Sequence, residues 1–171
     1  MRENLPALVH ELITRRLTVA TAESLTGGAL CARLVDVPGA SETVLGGVCT
    51  YATALKADIL GVDRAHLART GPVDADVARE MAGGARRLFG ADVALSTTGV
   101  AGPGPADGHP AGTVHIACAH PGGVAHRELH LRGSRAEVRA ATVEASLDLL
   151  AEVLGAGGDG GGARGTGPTP M

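Results

Sequence analysis

Three side chains in the first third of the chain have the types needed for acyl-transfer chemistry: Ser24, Tyr51 and Lys56. A serine hydroxyl becomes a nucleophile only beside a base; histidine is the common partner, and a desolvated lysine also serves. A free lysine has a pKa near ~10.4, so only about one in 10³ is neutral at pH 7. A base working near neutrality needs that value lowered by roughly 3, about 4 kcal/mol of environment. Burial or a nearby cation supplies this for lysine, whereas a guanidinium keeps its proton. Lys56 is the single lysine among fifteen cationic side chains, the rest being arginine. Lys, Asn, Phe, Tyr and Ile are scarce together, and their codons are A/T-rich. In such a sequence lysines drift to arginine wherever charge alone matters, so a retained lysine points to a position that must release its proton. The alternative is a surface lysine whose stem lies along apolar neighbours, beside a core tyrosine. Tyr51, five residues earlier, would relay a proton or orient Ser24.

Ser24 lies in AESLTGG, residues 22–28, which follows an apolar run and opens a helical one. At such a turn the N–H groups around Thr26, Gly27 and Gly28 point outward with the positive end of the helix dipole behind them, a place for an oxyanion or a phosphate. Alternatively Ser24 is a plain N-cap and the glycines a tight turn. A second glycine-rich stretch, TTGVAGPGPADGHPAGT at 97–113, brings Thr98, Gly99 and Gly102 to the end of a strand. Its N–H groups and the Thr98 hydroxyl would cradle a phosphate or a carboxamide, or the stretch is a long surface loop. Arg135 and Arg139 stand four apart at the start of the last helix, as solvated charges or as a clamp for phosphate or carboxylate. The seven histidines and three cysteines form no H-E-x-x-H or C-x-x-C grouping, so no metal site is expected.

These residues need elements to position them. Apolar spacing predicts a helix over 4–16, a buried strand over 17–22, and a helix opening near Thr26 and ending at Pro38-Gly39. ETVLGGVCTYA reads as a strand ending near Tyr51, and ALKADILGV as a short helix carrying Lys56. A second short helix is expected over 64–70. Residues 74–90 read as a helix with Asp74 as N-cap and Gly90 beyond its end. Strands are expected at 91–99, 112–119 and 124–132, the last two joined at Pro121-Gly122-Gly123 as an antiparallel hairpin. Ser134 and Glu137 form a capping box for a helix over 134–154. Together they predict an α/β fold, a three-layer α/β/α sandwich around a mixed, mostly parallel sheet with a C-terminal antiparallel hairpin. One domain is expected over 1–154, followed by a disordered glycine-rich tail over 155–171.

Composition narrows the classes. Hydrophobic residues make up 44% of the 171, yet Trp is absent and Phe89 and Tyr51 are the only aromatics, so Ala, Val, Leu and Gly must fill the core. A formal net charge of −3 argues against a broad nucleic-acid footprint. No apolar run reaches the length of about 18 residues that a membrane span requires. The N-terminal MRENLPALVHELITRR lacks the apolar core of a signal peptide. Cys31, Cys49 and Cys118 are scattered, which suits small buried thiols in a reduced, cytoplasmic setting.

In this order the stretches resemble the C-terminal domain of the competence/damage-inducible protein CinA family. Glu23–Gly28 looks like that family's ESLTGG turn, Tyr51–Lys56 like its Y-S-N-x-x-K segment, and Thr98–Pro103 with Pro110–Val114 like its T-G-I-A-G-P loop and following P-V-G-T-V. Val37–Ser41, Gly61–Leu67 and Gly133–Arg139 have counterparts too, and the likeness runs over about residues 5–152. The resemblance implies a PncC-type nicotinamide-nucleotide amidohydrolase that converts nicotinamide mononucleotide (NMN) to nicotinate mononucleotide and ammonia without metal or cofactor. It implies Ser24 as nucleophile, Lys56 as base with Tyr51 assisting, and Thr98 with the N–H groups near Gly27 and Gly28 for oxyanion or substrate. Arg135 or Arg139 would then meet the phosphate, and the chain would be a homodimer. Longer members carry a further N-terminal domain resembling molybdopterin-binding proteins, whose activity is not expected here. A second class stays open, a non-catalytic nucleotide-binding or regulatory domain.

Overall fold

The sequence VATAE puts two alanines on one face of a strand and a valine, a threonine and a glutamate on the other. It forms β1 (Val19–Glu23), buried at every position and paired on both sides. The structure, a computed structural model, describes residues 4–157. Beside β1 lie β2 (Val44–Cys49) and β3 (Val93–Gly99), both parallel to it. Next come β4 (Thr113–His120), antiparallel to β3, and β5 (Gly123–His130), antiparallel to β4, giving the order β2-β1-β3-β4-β5. Four of the five strands therefore point the same way and only β4 runs against them. This is the expected mixed sheet with its terminal hairpin. The edge strand β2 alternates between half-buried and exposed, as a strand with one open side does.

Helices α1 (Leu5–Thr14), α2 (Ala29–Val35) and α6 (Arg135–Ala156) cover one face, where Leu8, Leu12, Leu30, Leu34 and Leu150 pack with Val19, Leu95 and Ile116. Burying one such aliphatic side chain stabilises the fold by about 1.5–3 kcal/mol. Helices α3 (Thr53–Leu60), α4 (Arg64–Thr70) and α5 (Ala75–Phe89) cover the other face. There the sheet presents Ala20, Ala22 and Ala94 to Val77, Met81 and Ala85 of α5. Small side chains let α5 approach the sheet closely without aromatic filling. The same economy joins α3 to α5: a Cβ at Gly84 would lie 2.1 Å from the Leu60 carbonyl oxygen, so the helices meet backbone to backbone. Leu60 is one turn beyond Lys56 on the same helix face, and this contact sets where that face stands.

The expected caps are present. Asp74 accepts from the N–H groups of Asp76 and Val77, Gly90 ends α5 in the left-handed conformation, and Ser134 and Glu137 form the reciprocal capping box of α6. Most boundaries move by one or two residues, and three of the differences bear on the site or the tail. β2 stops at Cys49 rather than Tyr51, and α2 starts at Ala29 rather than Thr26. In both places the chain turns over the carboxyl end of the sheet instead of continuing its element. α6 runs on to Ala156, so the start of the expected tail is helical; residues 158–171 of that tail lie outside the described part. Among the described residues no helix is long and apolar enough to cross a membrane.

The connection from β1 to β2 passes through α2 on one face, and the return from β2 to β3 passes through α3, α4 and α5 on the other. The crossovers part between β1 and β3. A crevice outside the carboxyl ends of those strands is where open α/β sheets bind ligands.

Candidate active site

Glu23 ends β1 with its side chain fully buried. Its carboxylate accepts hydrogen bonds from the Leu30 N–H at 2.8 Å, the Cys31 N–H at 3.0 Å and the Thr21 hydroxyl at 3.2 Å. The N-cap of α2, Gly28, has no side chain to offer, so Glu23 caps the helix from the strand before it. Thr26, Gly27 and Gly28, expected to offer N–H groups to an oxyanion or substrate, stand at this terminus. The helix terminus already holds the protein's own carboxylate. The Thr26 hydroxyl pairs with that of Thr97 at 2.8 Å, and the Gly27 N–H donates to the Ser24 carbonyl at 3.1 Å. None of the three lines the cavity described below. Arg139 is likewise absent from its wall. Its guanidinium donates to the carbonyls of Leu25 at 2.9 Å and Thr26 at 3.0 Å and so fastens the turn to α6.

Ser24 continues the β1–β3 pairing by one residue, its N–H donating to the Thr97 carbonyl at 3.0 Å. Its hydroxyl reaches the floor of a cavity of about 410 Å³ and stands 3.1 Å from Lys56 Nζ. Lys56 is 1% exposed. Nζ also donates to the Thr50 carbonyl at 2.6 Å and lies 3.4 Å from the Tyr51 carbonyl. Every partner is neutral, and no carboxylate touches the amine. Burial therefore lowers the Lys56 pKa to about 8, with Asp107 across the cavity pulling it partly back up. With a pKa of about 8, about one lysine in ten is neutral at pH 7, roughly two hundredfold more than for a free side chain.

The structure brings Ser24, Tyr51, Lys56, Thr98, Gly99, Gly102 and Arg135 to this one cavity. Two of them stand differently from expectation. The Tyr51 hydroxyl does not meet Ser24 or Lys56; it accepts from Arg135 Nη2 at 3.1 Å at the mouth, with the side chain exposed. The Arg135 guanidinium also donates to the Gly102 carbonyl at 2.8 Å, tying α6 to the glycine-rich loop. The buried Thr98 hydroxyl donates to the Pro72 carbonyl at 2.7 Å, so toward the cavity it offers lone pairs.

Sequence reasoning missed two residues. One is Glu23, whose signal is an acid ending a buried strand, seven and eight residues before the helix N–H groups it caps. The other is Asp107, in the glycine-rich stretch 97–113. Ala106 and His109 exchange both backbone hydrogen bonds, at 3.0 and 2.9 Å, around Asp107 and Gly108 with φ of 50° and 79°. Two central residues with positive φ make a type I′ turn, and the Asp-Gly dipeptide is its sequence mark. Asp107 lines the cavity.

Among the described residues one group of side chains has three potential metal-ligand atoms within reach of one another: His66, Asp74 and Asp76, within 4.8 Å. Asp74 is the cap of α5, Asp76 pairs with Arg79 at 2.6 Å and His66 Nδ1 meets Glu80 at 2.9 Å, so the cluster serves the junction of α4 and α5. His115 and His126 stack across β4 and β5 with ring nitrogens 3.0 Å apart.

Comparison with known proteins shows the family. The family model for the CinA C-terminal domain matches residues 3–154. The chain is 48% identical over 143 residues to a CinA-like protein of Frankia casuarinae, covering 84% of this chain and 33% of the relative. It is 46% identical over 135 residues to a CinA-like protein of Geobacter sulfurreducens, covering 78% and 33%. It thus spans about a third of the length of the curated relatives it matches. The fold superposes on the crystal structure of a CinA superfamily protein from Escherichia coli with a TM-score of 0.85 and 37% identity, covering 90% of each chain. A Klebsiella pneumoniae member gives a TM-score of 0.86 at 34% identity, covering 91% of this chain and 99% of that one.

Proposed function

The chain belongs to the family of CinA C-terminal domains, and on that premise we propose that it hydrolyses the carboxamide of NMN to nicotinate mononucleotide and ammonia. The observation that carries this reading is the 3.1 Å approach of a buried lysine amine to the Ser24 hydroxyl at the floor of a cavity. A serine beside a desolvated, partly neutral lysine is a nucleophile with its base.

The reaction follows from the positions. Ser24 Oγ adds to the amide carbon as its proton passes to neutral Lys56 Nζ. The oxyanion takes the N–H of Leu25, the residue after the nucleophile, which has no backbone acceptor of its own. Lys56 then returns the proton to the departing nitrogen, ammonia leaves, and the acyl group stays as an ester on Ser24. Water, deprotonated by the same Lys56, cleaves the ester and restores the hydroxyl. The pyridinium ring withdraws electrons from the amide carbon and eases the first step. Thr98, a hydrogen-bond acceptor toward the cavity, suits the amide N–H₂ rather than the oxyanion. Arg135 at the mouth takes the phosphate in place of its neutral partners Tyr51 and Gly102.

The test is release of ammonia and nicotinate mononucleotide in equal amounts from NMN by the purified protein. Ser24→Ala and Lys56→Arg are each expected to lose at least about 10³-fold in kcat, since members of one catalytic unit fail together. Undiminished turnover in Ser24→Ala removes the mechanism. NMN binding without turnover in the parent protein assigns a nucleotide-binding module instead.

A further inference from the structure

Three charged side chains line the cavity: Lys56 at the floor, Arg135 at the mouth and Asp107 on the wall. Lys56 has only neutral partners within reach, and Arg135 is held by Tyr51 and Gly102. Asp107 is the single anionic group on the wall, and it enters none of the ion pairs among the described residues. We infer that Asp107 is the counter-charge for a cationic group on the substrate, and that it makes the cavity select a positively charged ring amide over a neutral one of the same shape.

The local backbone explains a turn residue here but not a carboxylate. At a left-handed position in a type I′ turn, Asn or Gly serves as well as Asp. The turn is closed by two reciprocal backbone hydrogen bonds, and its loop is anchored to Arg135 through Gly102, so the backbone that carries the exposed Asp107 side chain is held at the wall. Its field already crosses the cavity, because it favours the protonated form of Lys56. A cation seated between the two reverses that influence. It screens the carboxylate from the lysine and adds a like charge beside the amine, and both effects favour the neutral base. The charged substrate would thereby help prepare the base that attacks it, which a neutral amide cannot do.

This role rests on the amidase reading of the site, but binding tests it separately. In the Ser24→Ala protein, affinities are measured at pH 8 for NMN and for its dihydro form, whose ring is uncharged. NMN is expected to bind about tenfold more tightly, as for one partly solvated charge pair. Adding Asp107→Asn should reduce that preference to about twofold or less with an unchanged melting temperature, because Asn keeps the turn. Asp107→Glu should retain most of it. A preference absent from the parent, or unaltered by Asp107→Asn, overturns the inference. NMN turnover by the parent protein without an Asp107-dependent preference leaves the amidase standing and removes this role. An Asp107-dependent preference without turnover does the reverse.

Discussion

The carboxylate of Glu23 accepts a hydrogen bond from the N–H of Leu30 at 2.8 Å, so the last residue of β1 is the N-terminal cap of the helix that follows Ser24. Strand, turn and helix are fixed to one another by a single buried side chain. Glu23→Ala leaves two helix N–H groups and the Thr21 hydroxyl without their acceptor. A loss of about 2–4 kcal/mol of stability is expected, from a lost cap plus unpaired buried donors. Urea unfolding at pH 7 reads this, and NMN turnover should fall in parallel as Ser24 loses its mounting. Unchanged stability would remove Glu23 from the account of the turn.

The base sets the pH dependence. The proposed reaction needs neutral Lys56, whose pKa burial lowers to about 8. Turnover should therefore rise tenfold per pH unit below about pH 7 and level off above pH 8 to 9. The charged groups that share the cavity with the amine are Asp107, which raises its pKa, and Arg135. A kcat/KM profile flat from pH 6 to 9 would exclude Lys56 as the base.

The same burial costs stability. Lys56 titrates near 10.5 when unfolded and near 8 when folded. The folded state binds the proton less tightly, so stability rises with pH across that window and is lost as pH falls through 8. From pH 7 to 9.5 the gain is about 2 kcal/mol. Lys56→Met keeps the shape without the charge. Its urea midpoint should lack this rise and exceed that of the parent protein at pH 7, while activity is lost. Parallel pH profiles of the two proteins would contradict the burial argument.

Tyr51 meets Arg135 and not the Ser24–Lys56 pair. Tyr51→Phe is therefore expected to change kcat by less than about threefold and to alter KM instead, through the freedom of Arg135. A large fall in kcat with KM unchanged would return Tyr51 to proton transfer, the role its place in the sequence suggested.

Much of the fold was legible because each element carried its own punctuation. Asp74, Gly90 and the Ser134/Glu137 pair mark helix ends by local hydrogen bonding, and the structure has them there. The approach of Lys56 to Ser24 was legible for a different reason: a lone lysine among fourteen arginines marks a position where a guanidinium does not serve. Arg139, Tyr51 and Asp107 were not legible. Which acceptor an arginine finds, and which wall a turn faces, depends on contacts between segments as far apart as Leu25 and Arg139. Spacing along a chain records local periodicity and is silent on such meetings.

The contact of Gly84 with the Leu60 carbonyl carries a last consequence. Where two helices touch through side chains, any exchange of valine for leucine or alanine shifts the distance between them. At Gly84 α5 puts no side chain between the two backbones, so the seat of Lys56 is set in part by the main chain of α5. The sequence around it is free to drift toward alanine and glycine, even to shed nearly all its aromatic residues, while the amine and the hydroxyl keep their separation.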